Sequence, residues 1–248
     1  MSISNGARLG VVDDAGRGTA AADWLGWADA APDLDIGGWS DVVVVAPHPD
    51  DEVLGVGGLM ARLTRLGAAV RVLAVTDGDG ARPPAGWSTQ RLARERVEEA
   101  VCACAVVGVD APRRLGLPDG AVEEHEDALA EALGQALAPH TVCLATWRAD
   151  GHPDHEATGR AAARACAHTG ARLVEYPVWM WHWARPHDRA VPWERVRRHN
   201  LTTSERAAKH LAVQRHRSQL DPPTPGVDPV LPPFVVERLV TDQEMLLS

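Results

Sequence analysis

The stretch DVVVVAPHPDDE, residues 41–52, constrains this chain more than any other. A continuous β-branched apolar run, rather than an alternating one, suits a strand buried on both faces of a parallel sheet. It runs straight into His48, Asp50, Asp51 and Glu52, four ionisable groups that are expensive at the end of a buried strand unless they are paired or bind something. The pattern returns a hundred residues on, where the apolar TVCLAT (141–146) leads through a short loop into GHPDHE (151–156).

Around these two strands the chain alternates. Residues 1–20 read as a loose arm, and 21–31 as a short helix with Trp24 and Trp27 on one face. A helix over 52–66 carries Leu54, Leu59, Leu63 and Leu66 and stops at Gly67. A strand over 69–76 follows, then the Gly- and Pro-dense loop 77–87. Ser88 caps a helix to about Val107, a short strand lies near 113–115, and a helix spans about 122–138. After the strand 141–146 come an Ala-rich helix over 155–168 and a strand over 171–178. Strands alternating with helices predict a single α/β domain with a Rossmann-like, mostly parallel sheet flanked by helices. Ligands of such sheets bind beyond the carboxyl ends of the strands, where both polar clusters fall. The expected organisation is an arm over 1–38, a core over 39–185, and a C-terminal segment over 186–248 that completes the same domain. The tail is less regular, and DPPTPGVDPVLPP (221–233) reads as extended loop.

Composition excludes several classes. The net charge of −9 argues against nucleic acid and anionic membranes, which need clustered Lys and Arg. Arg113-Arg114 and Arg195–Arg198 read as ordinary solvated faces. No stretch approaches 18 apolar residues and the N-terminus lacks a signal-type apolar segment, so no membrane span is expected. Cys102, Cys104, Cys143 and Cys166 read as small buried groups in a reducing, cytoplasmic setting. The first strand ends in PHPDDE, not G-x-G-x-x-G, which leaves no phosphate-cradling turn for a dinucleotide.

A lone H-P-D is ordinary turn and helix-cap chemistry. Two such clusters at equivalent strand ends bring three His and three Asp together, and that favours a shared metal site. Two His and one carboxylate with an open position make a catalytic zinc set, although imidazole and carboxylate also suit Fe²⁺ or Co²⁺.

PHPDDE followed by HPDH resembles the signature of the PIG-L/LmbE-like de-N-acetylases, which act on glucosaminyl-phosphatidylinositol, on mycothiol and bacillithiol precursors and on some glycosylated antibiotics. TDG (76–78), the helix bearing Arg96 and Glu99, LPDG (117–120) and YPVWMWHW (176–183) add to the likeness, which is clear over about 40–185. The resemblance implies His48, Asp51 and His155 as ligands of one Zn²⁺, with Asp50 as the general base toward a water activated by the ion. Neighbouring Asp50 and Asp51 side chains point different ways, which suits that division. His152, as an imidazolium, is then the group that stabilises the oxyanion or protonates the leaving amine. Asp154 is expected to orient His152 and raise its pKa. Some members carry Tyr two residues before this His, and here Asp150 stands there. An ionised Asp cannot donate to an oxyanion, which leaves that task to the metal and His152 or to another donor; Asp150 is the expected contact for a substrate hydroxyl or amine.

Asp77 and Arg96 are further substrate-binding candidates by resemblance. Trp179, Trp181 and Trp183 alternate as a strand would, giving one indole face for a sugar, a buried patch or a dimer contact; Trp181 is the chosen substrate contact. Gly55, Gly57 and Gly58 suit either close approach of a ligand or tight helix packing. His182, His187 and His199 read as surface histidines, and Glu52 and Glu156 as caps or supporting partners. The expected activity is hydrolysis of an N-acyl, chiefly N-acetyl, group on an amino sugar or its conjugate. The expected partner is that small molecule, and a homo-oligomer is compatible with the Trp-rich stretch. The rivals are an amidase on a larger thiol or peptide-like conjugate and a non-catalytic metabolite-binding module.

Overall fold

The valine run is a central strand, β1 (Asp41–Ala46). Parallel to it lie β2 (Ala69–Thr76), β3 (Arg113–Leu117), β4 (Val142–Thr146) and β5 (Arg172–Tyr176). Two later strands, β6 (Val196–Asn200) and β7 (Gln243–Leu247), pair antiparallel with each other, and β7 meets β5 antiparallel. The structure, a computed structural model that describes residues 16–248, thus holds one seven-stranded sheet in the order β3-β2-β1-β4-β5-β7-β6. The first fifteen residues of the expected arm lie outside the described residues.

Both faces of β1 are covered, which is why its apolar run is continuous. Val42 and Val44 pack with Leu54, Leu59, Met60 and Leu63 of helix α1 (Asp51–Arg65). Helix α2 (Thr89–Val106) lies on the same face as α1 through Ala103 and Cys104, while Val43 and Val45 pack with the opposite layer, from helices α3 (Glu126–Gly134) and α4 (Pro153–Thr169), the contacts coming from Leu129 and Leu133 of α3 and Ala157, Ala161 and Ala165 of α4. Ser88 Oγ accepts the Arg91 N–H at 3.2 Å and caps α2 as its sequence predicts. Gly170 closes α4 at φ 77°, a left-handed position that glycine takes without strain.

Helix α1 is broken at Val56 (φ −137°, ψ 24°). The amides of Gly58 and Leu59 beyond the break donate to the buried Glu244 carboxylate at 2.8 and 2.7 Å, and Lys209 Nζ neutralises it at 2.8 Å. Two of the α1 glycines serve packing. A Cβ on Gly55 would collide with the Tyr176 ring, and one on Gly58 with Leu201.

Several expectations change. The helix expected over 122–138 starts as a tight turn, Val122–His125, and is helical only over α3. The strand expected over 171–178 stops at Tyr176, because Pro177 cannot extend the ladder. Trp179, Trp181 and Trp183 do not share a strand face: Met180–Trp183 is one helical turn, α5, which fans the indoles apart. Trp181 meets Trp24 edge-on with ring centroids 5.0 Å apart, and Trp183 stacks on Trp147 at 6.3 Å. Residues 21–30 form two single turns rather than one helix. His182 and His199 are buried rather than on the surface, and His187 is exposed. The tail adds helices α6 (Thr203–Val213), α7 (Arg217–Leu220) and α8 (Pro233–Leu239) between β6 and β7.

Candidate metal centre

The two polar clusters meet at the carboxyl ends of β1 and β4, which are hydrogen-bonded neighbours. His48 and Asp50 lie in the turn after β1, and Asp51 opens α1. His152 is the N-cap of α4, Pro153 takes its first position, where no N–H is needed, and His155 lies in its first turn.

Three ligand-type atoms converge. His48 Nδ1 and Asp51 Oδ2 are 3.2 Å apart, His155 Nε2 and Asp51 Oδ2 3.2 Å, and His155 Nε2 and His48 Nδ1 3.3 Å. Tetrahedral zinc with bonds of about 2.0–2.1 Å sets its ligand atoms about 3.3–3.4 Å from one another. The triangle therefore has the edge lengths of one face of such a site, and the donor set of two imidazoles and a carboxylate fits the ion. His48, His152 and His155 also place ring nitrogens within 4.8 Å of one another, as do the ligand atoms of His48, Asp119 and Asp154.

Each histidine of the triangle has a carboxylate on its other nitrogen. His155 Nδ1 lies 2.8 Å from Asp150 Oδ2. His48 Nε2 lies 3.1 Å from Asp119 Oδ1 and 3.2 Å from Asp154 Oδ2. Carboxylates so placed fix the tautomer and orientation of a metal-binding ring and raise its basicity. Burial pulls the His155 pKa down, but Asp51 and Asp150 outweigh it and raise it to about 9. His48 is likewise raised, against burial, by Asp119, Asp154 and Asp51. For Asp51 burial pushes up, and His155 and His48 prevail, holding it far below the usual carboxylate range. Four carboxylates around two imidazoles favour a bound cation.

Asp50 is different. Its carboxyl is pushed well up by burial and by the Asp51 charge, so it takes a proton more readily than an exposed carboxylate does. Its backbone stands at φ 138°, rare for any residue but glycine. The His152 ring packs against His48 and His155 with centroids 4.9 Å from each. Burial, then the charges of His155 and His48, lowers its pKa to about 4. Its Nδ1 accepts the Asp154 backbone N–H at 3.2 Å, which leaves the ring proton on Nε2.

Three sequence expectations are corrected by these contacts. The Asp154 carboxylate is not hydrogen-bonded to His152, and its upward pull on that ring's pKa is outweighed by burial and by the His155 and His48 charges; it faces His48 and accepts the amides of Gly120 at 2.7 Å and Val122 at 3.2 Å. Asp150 is fully buried and does not face a substrate; besides His155 it accepts the amides of Val178, Trp179 and Met180, each at 2.9 Å. Trp181 lies with Trp24, Trp27, Leu54 and Gly55 around a separate cavity of about 440 Å³, and it is Trp179 whose ring stacks on His152, at 6.5 Å.

Asp77 stands just beyond β2 in a two-pronged ion pair with Arg114. Arg96 is buried, donates to the Gly78 carbonyl, and has Nε and Nη2 without hydrogen-bond partners. Sequence reasoning misses Asp119, His216 and Gln219. Asp119 sits in the LPDG turn, which the sequence does mark, but nothing local signals that this turn folds onto His48.

A mostly parallel α/β sheet with a His/Asp/His triangle at adjoining strand ends makes a centre suited to holding a metal ion, and comparison with known proteins gives its family. The profile of the family described as PIG-L, GlcNAc-PI de-N-acetylase, matches residues 43–166. The chain belongs to the PIG-L family. It is 33% identical over 131 residues to the probable N-acetyl-alpha-D-glucosaminyl L-malate deacetylase 2 of Bacillus subtilis (strain 168), covering 50% of this chain and 59% of that protein. It is 35% identical over 153 residues to the 1D-myo-inositol 2-acetamido-2-deoxy-alpha-D-glucopyranoside deacetylase of Mycobacterium sp. (strain KMS), covering 50% of this chain and 49% of that one. The match thus spans about half to three-fifths of the length of these relatives. Among solved structures, a conserved protein from Thermus thermophilus superposes with a TM-score of 0.60 at 27% identity, over 84% of this chain and 94% of that chain.

Proposed function

We propose that this protein is a metal-dependent N-deacetylase that hydrolyses the N-acetyl amide of an amino sugar or its conjugate. The observation that carries the reading is the triangle of His48 Nδ1, Asp51 Oδ2 and His155 Nε2, with edges of 3.2–3.3 Å, in a chain of the PIG-L family. The two relatives bear names of deacetylases of N-acetylated glucosaminyl compounds, which supports the substrate class.

His48, Asp51 and His155 hold one divalent ion, for which zinc fits best and Fe²⁺ or Co²⁺ also suit the donors. When bound, the ion polarises an amide carbonyl and lowers the pKa of water. Asp50 takes the proton from the attacking water and delivers it to the departing amine, so that amide and water become acetate and free amine. Its raised pKa supports both halves of that task. His152 donates Nε2–H to the carbonyl oxygen as negative charge gathers there. Because its pKa is low, it acts as a neutral donor at pH 7 and not as the imidazolium expected from the sequence. Asp150, Asp119 and Asp154 keep the two metal-binding rings in place. Asp77 and Arg96, on the β2 side, bind the sugar.

Among the described residues no helix is long and apolar enough to cross a membrane, and all four cysteines are free thiols. These features support a cytoplasmic location.

The reading is tested by amine release from N-acetylglucosamine conjugates, before and after chelation and with Zn²⁺, Fe²⁺ or Co²⁺ restored. Release that is lost to chelator and returns with the ion supports it. A metal-loaded protein that releases no amine from any N-acetyl sugar rules out this substrate class and leaves larger amide conjugates.

A further inference from the structure

Two side chains far apart in sequence grip the two ends of one peptide group, the one joining Pro49 to Asp50. Its carbonyl oxygen accepts from Gln219 Nε2, and its N–H donates to Glu52 Oε2 at 3.1 Å. Both gripping side chains are buried. Gln219 comes from the one-turn helix α7, which is itself anchored. Ser218 gives its N–H and its hydroxyl to the Glu99 carboxylate at 2.6 and 2.7 Å, and the Gln219 carbonyl accepts the Leu231 N–H at 2.9 Å. The buried His216 places Nε2 4.0 Å from the other oxygen of Glu52.

Asp50 needs such a grip. At φ 138° and ψ −31° it holds a conformation that a residue with a Cβ keeps only where its surroundings over-determine it. It is also the N-cap of α1, yet its side chain makes no capping bond. An Asp at that position ordinarily turns its carboxylate back onto the first amides of its own helix. Here the peptide plane is held in the orientation that prevents this, and the carboxylate remains available to the site.

We infer that Gln219 and Glu52 are positioning residues for the catalytic base. By clamping the Pro49–Asp50 peptide from both sides, they keep the Asp50 carboxylate off its helix and directed at the reacting water. This rests on the reading of Asp50 as the base. The C-terminal turn 216–219 is then part of the catalytic apparatus without touching substrate.

The test is Gln219→Leu, which removes the donor at similar volume, made alone and together with Asp50→Asn. Expected for the single variant is a fall in kcat of about tenfold to a hundredfold, with KM and bound metal unchanged. In the Asp50→Asn background Gln219→Leu should add no further loss, because both act through one carboxylate. Glu52→Gln, which keeps a carbonyl oxygen for the Asp50 N–H, should retain far more activity than Glu52→Ala. A crystal structure of Gln219→Leu should show Asp50 relaxed to negative φ with its carboxylate on the α1 amides. Equal losses from Gln219→Leu in both backgrounds, or an unchanged Asp50 φ in that crystal structure, overturn the clamp. If Gln219→Leu does not fold, Gln219→Glu reads the same contact, since it sets an oxygen against the Pro49 carbonyl at unchanged length. A fully active Asp50→Asn would remove the base assignment instead, and the Asp50 φ in the Gln219→Leu crystal structure would then decide the clamp by itself.

Discussion

The carboxylate of Asp150 lies 2.8 Å from Nδ1 of His155, and both side chains are wholly buried. Asp150 therefore acts on a metal-binding ring and not on a substrate. Its charge is spread over three backbone amides that the turn after Pro177 aims at it. Asp150→Asn should weaken metal binding by about 10–100-fold. Competition with a chelator of known affinity measures this. A variant with normal metal affinity and a raised KM would return Asp150 to the substrate.

Gly55 sets how closely α1 approaches β5. A Cβ there would meet the Tyr176 ring, whose hydroxyl is tied to the Val45 carbonyl at 2.8 Å and whose surroundings are fully buried. The ring has nowhere to go. Gly55→Ala should destabilise the fold by about 1–3 kcal/mol, as overpacking does, and lower Tm by about 3–10 °C. Calorimetry reads it directly, and an unchanged Tm contradicts the contact.

The buried pair of Lys209 and Glu244 is asymmetric. Glu244 also receives the amides of Gly58 and Leu59, whereas Lys209 has Glu244 as its ion-pair partner at 2.8 Å. Glu244→Ala strands a buried ammonium and two helix amides and should cost about 3–5 kcal/mol. Lys209→Met leaves Glu244 still held by both amides and should cost less. Urea unfolding of the two variants gives the order, and the reverse order would refute the asymmetry.

His216 makes stability depend on pH. Burial, then the Arg96 charge, lowers its pKa to about 3, against about 6.5 in an unfolded chain. Between those values the unfolded state binds a proton that the folded state refuses. Stability should therefore fall as pH drops from about 6.5, by up to about 1.4 kcal/mol per unit. Glu52, facing it, is raised by burial to about 7 and works in the opposite sense between about pH 4.5 and 7. The His216 contribution is thus read as a difference: His216→Gln should lose less stability than the parent between pH 6.5 and 4.5. Parallel curves would show that His216 is not the group responsible.

Much of this was legible in the sequence because it is local. The run Val42–Val45 names a strand covered on both faces, Ser88 and Gly170 mark helix ends, and His48, Asp51 and His155 fall at strand ends where a parallel sheet presents its ligands. The expectations that changed depend on contacts between distant segments. The Asp154 carboxylate turns toward His48 because the turn 118–122 folds over it and supplies two amides. Asp150 is closed off by the turn after Pro177, and the same turn separates the three indoles that a strand would have aligned. His216 and Gln219 reach the Asp50 loop only through packing of the tail. β6 hides because VRRHN shows little apolar alternation.

The central claim is that one ion held by His48, Asp51 and His155 and a proton carried by Asp50 together cleave an N-acetyl amide. The most direct test is to compare the parent protein with Asp50→Asn, measuring bound metal and acetate release from an N-acetylglucosamine conjugate on the same samples. The account predicts about one divalent ion per chain in both, with release falling by about 10²–10⁴-fold in Asp50→Asn. Undiminished release by Asp50→Asn, or a parent protein that takes up no stoichiometric metal under any loading condition, would contradict it.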